Sequence, residues 1–334
     1  MKKAFVTGGT GFVGSAVVRE LLQQGDEVKC LVRSGSDRRN LEGLDVELAE
    51  GDILDRDSIK RALENCDRMY HVAALYTLGD PEIWYWRANV LGTINVLSAA
   101  MDRGLERVVH TSTVGAVGSA PEGGLANEDT PWDFGDLGIP YVTTKYIAES
   151  EAFRFFGKGL PVVVVNPAGP IGPRDIKPTP TGLMIVQFLR GTLKATPQAT
   201  NNFIDVDDLA RGHRLAMEKG TPGHRYILGA HNTTLMDLFK IASELTGVPK
   251  PLATIPYPIS LTAGWLAESF GTKLFKIRQP LSAGGVRFLK KALHFDTSKA
   301  VNELGFSARP LEESVKRAVE WFYEHGYAKR RKTK

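Results

Sequence analysis

Lys2-Lys3-Ala4-Phe5-Val6, followed by Thr7-Gly8-Gly9-Thr10-Gly11-Phe12-Val13-Gly14, is the stretch from which the rest of the chain can be read. A short run of strand formers breaks into a glycine turn and resumes as a helical pattern from Ser15 to Gln24. Glycines let the backbone turn tightly, and they let a pyrophosphate reach the amides at the helix start, where the dipole favours an anion. That is the strand, loop and helix context of a dinucleotide site. The same three glycines could equally make an ordinary turn, so the choice rests on the pattern of the remaining residues.

Strand and helix patterns alternate through the first half of the chain. Apolar strands read at Ala4–Val6, Val28–Val32, Val46–Leu48, Arg68–Val72, Arg107–His110 and Pro161–Val165, with helical patterns between them at Asp57–Glu64, Glu82–Arg103 and Tyr141–Phe156. Regular alternation implies an α/β fold, a Rossmann-type doubly wound parallel sheet covered on both faces. After Asn166 the pattern changes. Pro167, Pro170, Pro173, Pro178 and Pro180 crowd a stretch expected to hold no regular element. A smaller, discontinuous C-terminal substrate lobe is expected to begin there, since Tyr226–Leu228 reads as a strand returning to the main sheet. The expected dinucleotide-binding domain covers 1–168 with about 203–230. The substrate lobe takes 169–202 and 231–328, and 329–334 form a basic tail.

Composition fits an ordinary globular enzyme: 334 residues, 43% apolar and 24% charged. The first strand begins at residue 3, leaving no room for a signal peptide, and no apolar run reaches membrane-spanning length. Cys30 and Cys66 are too few for a disulfide framework, so a cytoplasmic setting is expected. The net charge of +4 owes much to Lys329-Arg330-Arg331-Lys332-Thr333-Lys334, read as a solvated, frayed end rather than a nucleic-acid site. A small-molecule substrate, no membrane span, no metal, and a homodimer or monomer are expected.

Folds that choose NAD place an acid about twenty residues past the loop, on the ribose 2′-hydroxyl. Here the second strand ends Lys29-Cys30-Leu31-Val32-Arg33-Ser34, with no acid. Arg33, with Arg38 and Arg39 close behind, suits a 2′-phosphate, because guanidinium binds phosphate through paired donors. NADP is therefore expected, with NAD the alternative. Asp205, Asp207 and Asp208 precede a helical run, and capping explains them better than a metal.

Equal spacing of Gly8, Gly11 and Gly14 behind a threonine resembles the short-chain dehydrogenase/reductase superfamily. That resemblance implies a distant Tyr-x-x-x-Lys, and the chain supplies Tyr141-Val142-Thr143-Thr144-Lys145. It places the pyrophosphate over Gly8 to Gly14, with Phe12 and Val13 among its contacts. Asp52 is implied at the adenine amino group, with Ile53 packing the ring, although a helix-cap aspartate is equally readable there. Ala73 and Ala74 would let the cofactor pass close above the backbone, and Pro167 is assigned to the same contacts. His71 is read as a buried strand residue.

Hydride transfer to a carbonyl needs a proton donor for the developing alkoxide. A free tyrosine has a pKa of about 10. Lys145 lies one helical turn beyond Tyr141, on the same face, and its charge, with that of an oxidised nicotinamide ring, is expected to favour the phenolate, so that Tyr141 serves as acid in reduction and base in oxidation. Within His110-Thr111-Ser112-Thr113-Val114-Gly115-Ala116-Val117-Gly118, the resemblance selects Thr113 to hold the substrate oxygen, with Gly118 five positions later and Ser112 as the alternative. It makes Asn89 a residue that steadies the active-site helix.

The resemblance narrows to extended short-chain dehydrogenases of the NAD-dependent epimerase/dehydratase type. Val165-Asn166-Pro167-Ala168-Gly169-Pro170-Ile171-Gly172-Pro173-Arg174 and the stretch Val28–Glu50 look similar to hopanoid-associated sugar epimerases and to dihydroflavonol 4-reductase-like proteins. Two features depart from or lie outside this pattern: Thr143-Thr144 where a serine usually precedes the lysine, and the aromatic run Trp84-Tyr85-Trp86. An NADP(H)-dependent reductase of a ketone to a secondary alcohol is expected. The alternatives are a sugar epimerase that retains its cofactor and a non-catalytic NADP-sensing protein. Val114-Gly115 after Thr113 replaces the Asp-Glu pair of the dehydratases, which argues against elimination. The largely apolar run Ile255–Leu266 would suit an apolar substrate, or serve as the lobe's own core.

Overall fold

The computed structural model describes residues 2–76, 80–266, 283–291 and 293–330. Seven parallel strands form the central sheet: β1 (Lys3–Thr7), β2 (Glu27–Val32), β3 (Glu47–Glu50), β4 (Arg68–His71), β5 (Arg107–Thr111), β6 (Val162–Pro167) and β10 (Arg225–Leu228). Their order is β10-β6-β5-β4-β1-β2-β3. The sheet order therefore reverses beside β1, the switch point at which open α/β sheets bind ligands.

Both faces are covered, and β6 shows how. Val163 and Val165 join one apolar cluster, with Val17, Val18, Leu209 and Ala210. Val162 and Val164 join the other, with Val96, Leu97, Ala152 and Phe155. Successive side chains of a strand point to opposite faces, so an unbroken valine run is what a doubly covered strand requires. Each such valine contributes about 1.5–3 kcal/mol by burial. The first cluster lies under α1 (Phe12–Gln23) and, later in the chain, α7 (Val206–Lys219). The second lies under α2 (Arg56–Ala62), α4 (Gly92–Arg103) and α5 (Pro140–Gly157).

The proline-rich stretch does hold regular structure. β7 (Gly169–Ile171) pairs in parallel with β9 (Thr200–Asp205), which pairs antiparallel with β11 (His231–Thr234). Between them in sequence, β8 (Ala195–Pro197) pairs in parallel with β12 (Ala253–Ile255). Pro170 is tolerated because β7 is an edge strand, where a missing N–H costs no ladder bond. Pro180 then opens α6 (Pro180–Leu189), behind Thr179, whose hydroxyl accepts from the Gly182 amide at 3.2 Å. This part of the chain has its own core, built on Phe188, Phe239 and Phe322 between α6, α8 (Leu235–Thr246) and the C-terminal helix Leu311–Glu324. A further correction concerns Glu82–Arg103. It is a helical path in three pieces, α3 (Glu82–Tyr85), a π-helical turn Trp86–Leu91, and α4.

The aspartate cluster is structural. Asp205 caps α7 by accepting from the Asp207 amide at 2.9 Å, and it takes Nη1 of Arg317 at 2.7 Å. Asp208 pairs with Arg309 and Arg211, each at 3.0 Å. These pairs tie α7 to the C-terminal helix and to the segment before it. Cys30 and Cys66 are free thiols. Among the described residues, no helix is long and apolar enough to cross a membrane. Lys332 and Lys334 of the basic tail, with Arg331 and Thr333, lie outside the described residues.

Three histidines are buried as neutral rings. Burial pulls His71 down to about 3 and His213 to about 4, and it pulls His110 well below its ordinary value. A depressed folded pKa gives stability that is present above the unfolded value near 6.5 and is lost as pH falls towards the folded one. Asp175, pushed up to about 7 by burial, acts in the opposite direction. Glu128 and Asp205, also raised by burial, act with Asp175, whereas the ion-paired carboxylates of Asp37, Glu47 and Asp102, held below their ordinary values, act with the histidines, so Tm is expected to fall from pH 6.5 to pH 4. A flat Tm over that window, measured by calorimetry, would show these rings to be accessible to protons in the native state.

Candidate active site

The site grows from the carboxyl ends of β1, β4 and β5. Thr7 closes β1, and its hydroxyl sits 2.7 Å from His71 Nδ1 and accepts the Ala73 amide at 3.2 Å. The opposite ring nitrogen of His71 lies 3.0 Å from the Thr93 hydroxyl, which donates to the Asn89 carbonyl at 2.6 Å. His71 thus locks the glycine loop to the π-helical turn, and both its nitrogens are committed.

Gly8 takes φ 75°, and its α-carbon faces the Ala73 backbone so closely that a Cβ would lie 2.6 Å from the Ala73 nitrogen. At Gly14 a Cβ would lie 2.1 Å from the Gly8 oxygen. The loop is therefore folded onto itself and onto the start of the segment after β4. Gly11 stands at the N-cap of α1 with no side-chain cap, and no acid occupies the first turn. The positive end of this helix, with Phe12 and Val13 half-buried beside it, is left for an outside anion. A cradle that only glycine allows, beneath an uncapped helix, fits a dinucleotide pyrophosphate.

The other expected contacts stand around that cradle. Arg33 comes directly after β2, exposed, and neither it nor Arg38 has an ion pair among the described residues; Arg39 is held by Asp37, its Nη2 at 2.7 Å. Asp52 uses one carboxylate oxygen in a local turn, accepting the Leu54 amide at 2.9 Å. Ile53 packs at the start of α4, where a Cβ on Gly92 would meet its Cδ1 at 2.7 Å. Ala73 is half-buried and Ala74 exposed beside the loop, and Pro167 is buried at the end of β6.

Thr113 lies two residues beyond β5 and caps the short turn Val114–Ala116, accepting the Gly115 amide at 3.2 Å. Its hydroxyl lies on the side of the Tyr141 phenol and acts to lower the phenol's pKa. Ser112, one position earlier, has its hydroxyl buried with no hydrogen-bond partner among the described residues. Lys145 is fully buried on α5, and its ammonium donates to the Thr111 carbonyl at 2.6 Å. Burial draws Lys145 down to about 8, with Glu149 opposing. The expectation that Lys145 lowers the phenol is not met. Burial raises Tyr141, its neighbour Tyr76 raises it further, and only Thr113 acts the other way. Lys145 spends its charge on the Thr111 carbonyl, and the phenol stays protonated.

Several residues at the site escaped the sequence. Asn166 interrupts the valines of β6 and is wholly buried. Its amide donates to the Thr113 carbonyl at 3.0 Å and to Glu149 at 2.6 Å, and Glu149 in turn holds Arg225 at 2.8 Å. A polar residue in an all-valine strand was the available signal. Tyr76 lays its ring on Tyr141, with centroids 4.7 Å apart, while remaining 44% exposed. Trp132 stacks flat on Tyr146 at 4.0 Å and donates to the Gly115 carbonyl at 3.0 Å. Phe288, from the helix Ala283–Lys290, packs on Phe134 and comes close to Gly115.

Asn89 bridges two segments: it holds Leu75 through both backbone groups, at 2.7 and 3.3 Å, and it donates to the Thr144 hydroxyl at 3.2 Å. Thr144 is therefore the place where the helix that carries Tyr141 is pinned. In the aromatic run Tyr85 is buried, whereas Trp84 and Trp86 are 55% and 46% exposed.

Such a site, on such a sheet, defines a nicotinamide-dependent oxidoreductase. The chain belongs to the NAD dependent epimerase/dehydratase family, whose model matches residues 4–229. It is 42% identical to a Synechocystis sp. protein provisionally named dihydroflavonol 4-reductase, over 97% of this chain and 96% of that one. It is 35% identical to sterol demethylase protein B of Methylococcus capsulatus, over 96% and 98%. The crystal structure of gox2253 superposes with a TM-score of 0.87 at 41% identity, covering 98% of this chain and all of the other.

The two hydroxyls after β5 separate by experiment. Thr113→Ala is expected to lower kcat by about tenfold or more, in line with losing one hydrogen bond to a reacting group. Ser112→Ala is expected to leave kcat within about twofold. Steady-state rates in the reverse order would move the substrate oxygen to Ser112.

Proposed function

We propose that the protein is an NADP(H)-dependent oxidoreductase that reduces a ketone to a secondary alcohol. The observation that carries this reading is the grouping of the Tyr141 phenol with the Thr113 hydroxyl and, one helical turn on, the buried Lys145. A bound nicotinamide supplies the hydride. Thr113 and Tyr141 converge on one point, where a carbonyl oxygen accepts from both hydroxyls, and Tyr141 gives its proton to the alkoxide. Lys145, held on the Thr111 carbonyl, fixes the helix beneath.

NADP over NAD rests on Arg33 and Arg38, which have no ion pair among the described residues, at a strand end that carries no acid. The substrate is a ketone on an apolar ring frame. Exposed Trp84 and Trp86 lie on the same helical path as Asn89, and the names of the relatives, a dihydroflavonol reductase and a sterol demethylase protein, point to such frames.

The test is mass spectrometry of the nucleotide released on denaturing the dialysed protein, with NADPH and NADH titrations beside it. An empty site that takes up NADPH reversibly, and in preference to NADH, supports the reductase. Stoichiometric retained NAD would replace it with an epimerase that recycles its cofactor.

A further inference from the structure

A second cavity, of about 510 Å3, opens between the loop after β2, the turn at Arg174 and the C-terminal helix. None of Thr113, Tyr141, Lys145 and Arg33 lines it, although Arg39, which follows Arg33 and Arg38 in the stretch expected to meet a 2′-phosphate, does. Three guanidinium groups line it, those of Arg39, Arg174 and Arg190, against the single carboxylate of Glu42. Arg39 is already held by Asp37. Arg190 spends Nε on the Tyr327 carbonyl at 2.8 Å, which leaves its two terminal nitrogens. Neither Arg190 nor Arg174 has an ion pair among the described residues.

Three further observations point to an occupant. Arg174 is held at φ 74°, a left-handed conformation that a long side chain adopts at a cost, and such strain collects at functional positions. Asn40 lines the cavity at 4% exposure, and its carbonyl oxygen has no hydrogen-bond partner among the described residues; as an acceptor it suits a donor on the ring part of an occupant, not the phosphate. Behind it the Arg19 guanidinium is drawn down to about 10, by burial first and by the charge of Arg174 second. A concentration of positive charge that the protein leaves uncompensated at this point matches a phosphate, which paired guanidinium donors bind well. For a ring there is also a surface: the exposed His325 imidazole, backed by Trp321 at 4.4 Å between centroids. The volume is that of a small-ligand pocket.

We propose that this cavity is a binding site for a phosphomonoester bearing a flat ring, of the size of a nucleoside monophosphate, separate from the dinucleotide site. The two sites are neighbours, because the Asn40 amide donates both to the Thr10 carbonyl in the glycine loop, at 3.2 Å, and to the Arg174 carbonyl, at 3.4 Å. The test therefore keeps the dinucleotide site filled.

With saturating NADPH or NADH present, calorimetric titration with AMP is expected to show one additional site per chain, and inorganic phosphate is expected to compete for it. Arg174→Asn is expected to weaken AMP binding at least tenfold without lowering Tm, because asparagine accepts positive φ more readily than arginine. Arg190→Gln, away from the strained turn, is expected to weaken it as well and to leave kcat unchanged. The proposal is overturned if neither probe binds, if AMP binding vanishes once the dinucleotide is present, or if both variants bind AMP as the parent does.

Discussion

Replacing Tyr141 by phenylalanine is expected to lower kcat by about 100- to 10,000-fold, the contribution of a positioned proton donor, or about 3–5 kcal/mol of barrier. Dinucleotide affinity is expected to change little, because the cradle of Gly8, Gly11 and Gly14 and the uncapped start of α1 do not touch the phenol oxygen. Packing survives as well, since the ring that Tyr76 covers at 4.7 Å remains. The measurement is a pair of numbers: kcat from steady-state turnover and Kd from dinucleotide titration. A variant that keeps more than about a tenth of its kcat would take the proton-transfer role away from Tyr141. The kcat of the parent enzyme in the reductive direction is expected to fall at high pH, as the phenol loses its proton. Because burial raises Tyr141, that fall lies above the ordinary tyrosine range rather than near neutrality.

Arg33→Asp is expected to shift the NADPH to NADH ratio of kcat/KM by about 100-fold towards NADH. Losing charge-assisted bonds to a 2′-phosphate costs about 1.5–3 kcal/mol, and the new carboxylate both repels that phosphate and accepts from a 2′-hydroxyl. Arg39 cannot substitute, since Asp37 holds it, but Arg38 can. The preference that survives in the variant therefore measures Arg38. An unchanged ratio would end the argument from Arg33.

Much of this was legible because it is local or periodic. The glycine loop declares itself within fourteen residues, and the valine run of β6 announces a strand covered on both faces. The return of Arg225–Leu228 to the sheet could be read from its apolar run. Less of the site was legible. Tyr141, Lys145 and Thr113 were singled out by resemblance, and the two hydroxyls differ in the structure: Thr113 caps the turn after β5, whereas the Ser112 hydroxyl is buried without a hydrogen-bond partner among the described residues. The direction of the phenol's shift was misread, because spacing brings Lys145 onto the face of Tyr141 but cannot say that a backbone carbonyl at Thr111 will take its ammonium. Asn166, Tyr76 and Trp132 matter through contacts that span distant segments, and no local pattern marks those. Pro170 misled in the opposite way. A proline forbids a central strand but not an edge, and edges are defined only once neighbours are in place.

The seventh strand has a consequence for anyone recombining this enzyme with a relative. β10 is hydrogen-bonded along β6, pairing Arg225 with Val164 and Leu228 with Pro167, and Arg225 also anchors the Glu149 carboxylate under the site. A chimera joined once, just after residue 168, would import a foreign border for the host's sheet along with the foreign pocket. Keeping the host's sheet whole takes further junctions, which return the block carrying α7 and β10 to the host. Crossovers made without that block in mind should be recovered mainly as insoluble protein, whatever pocket they carry.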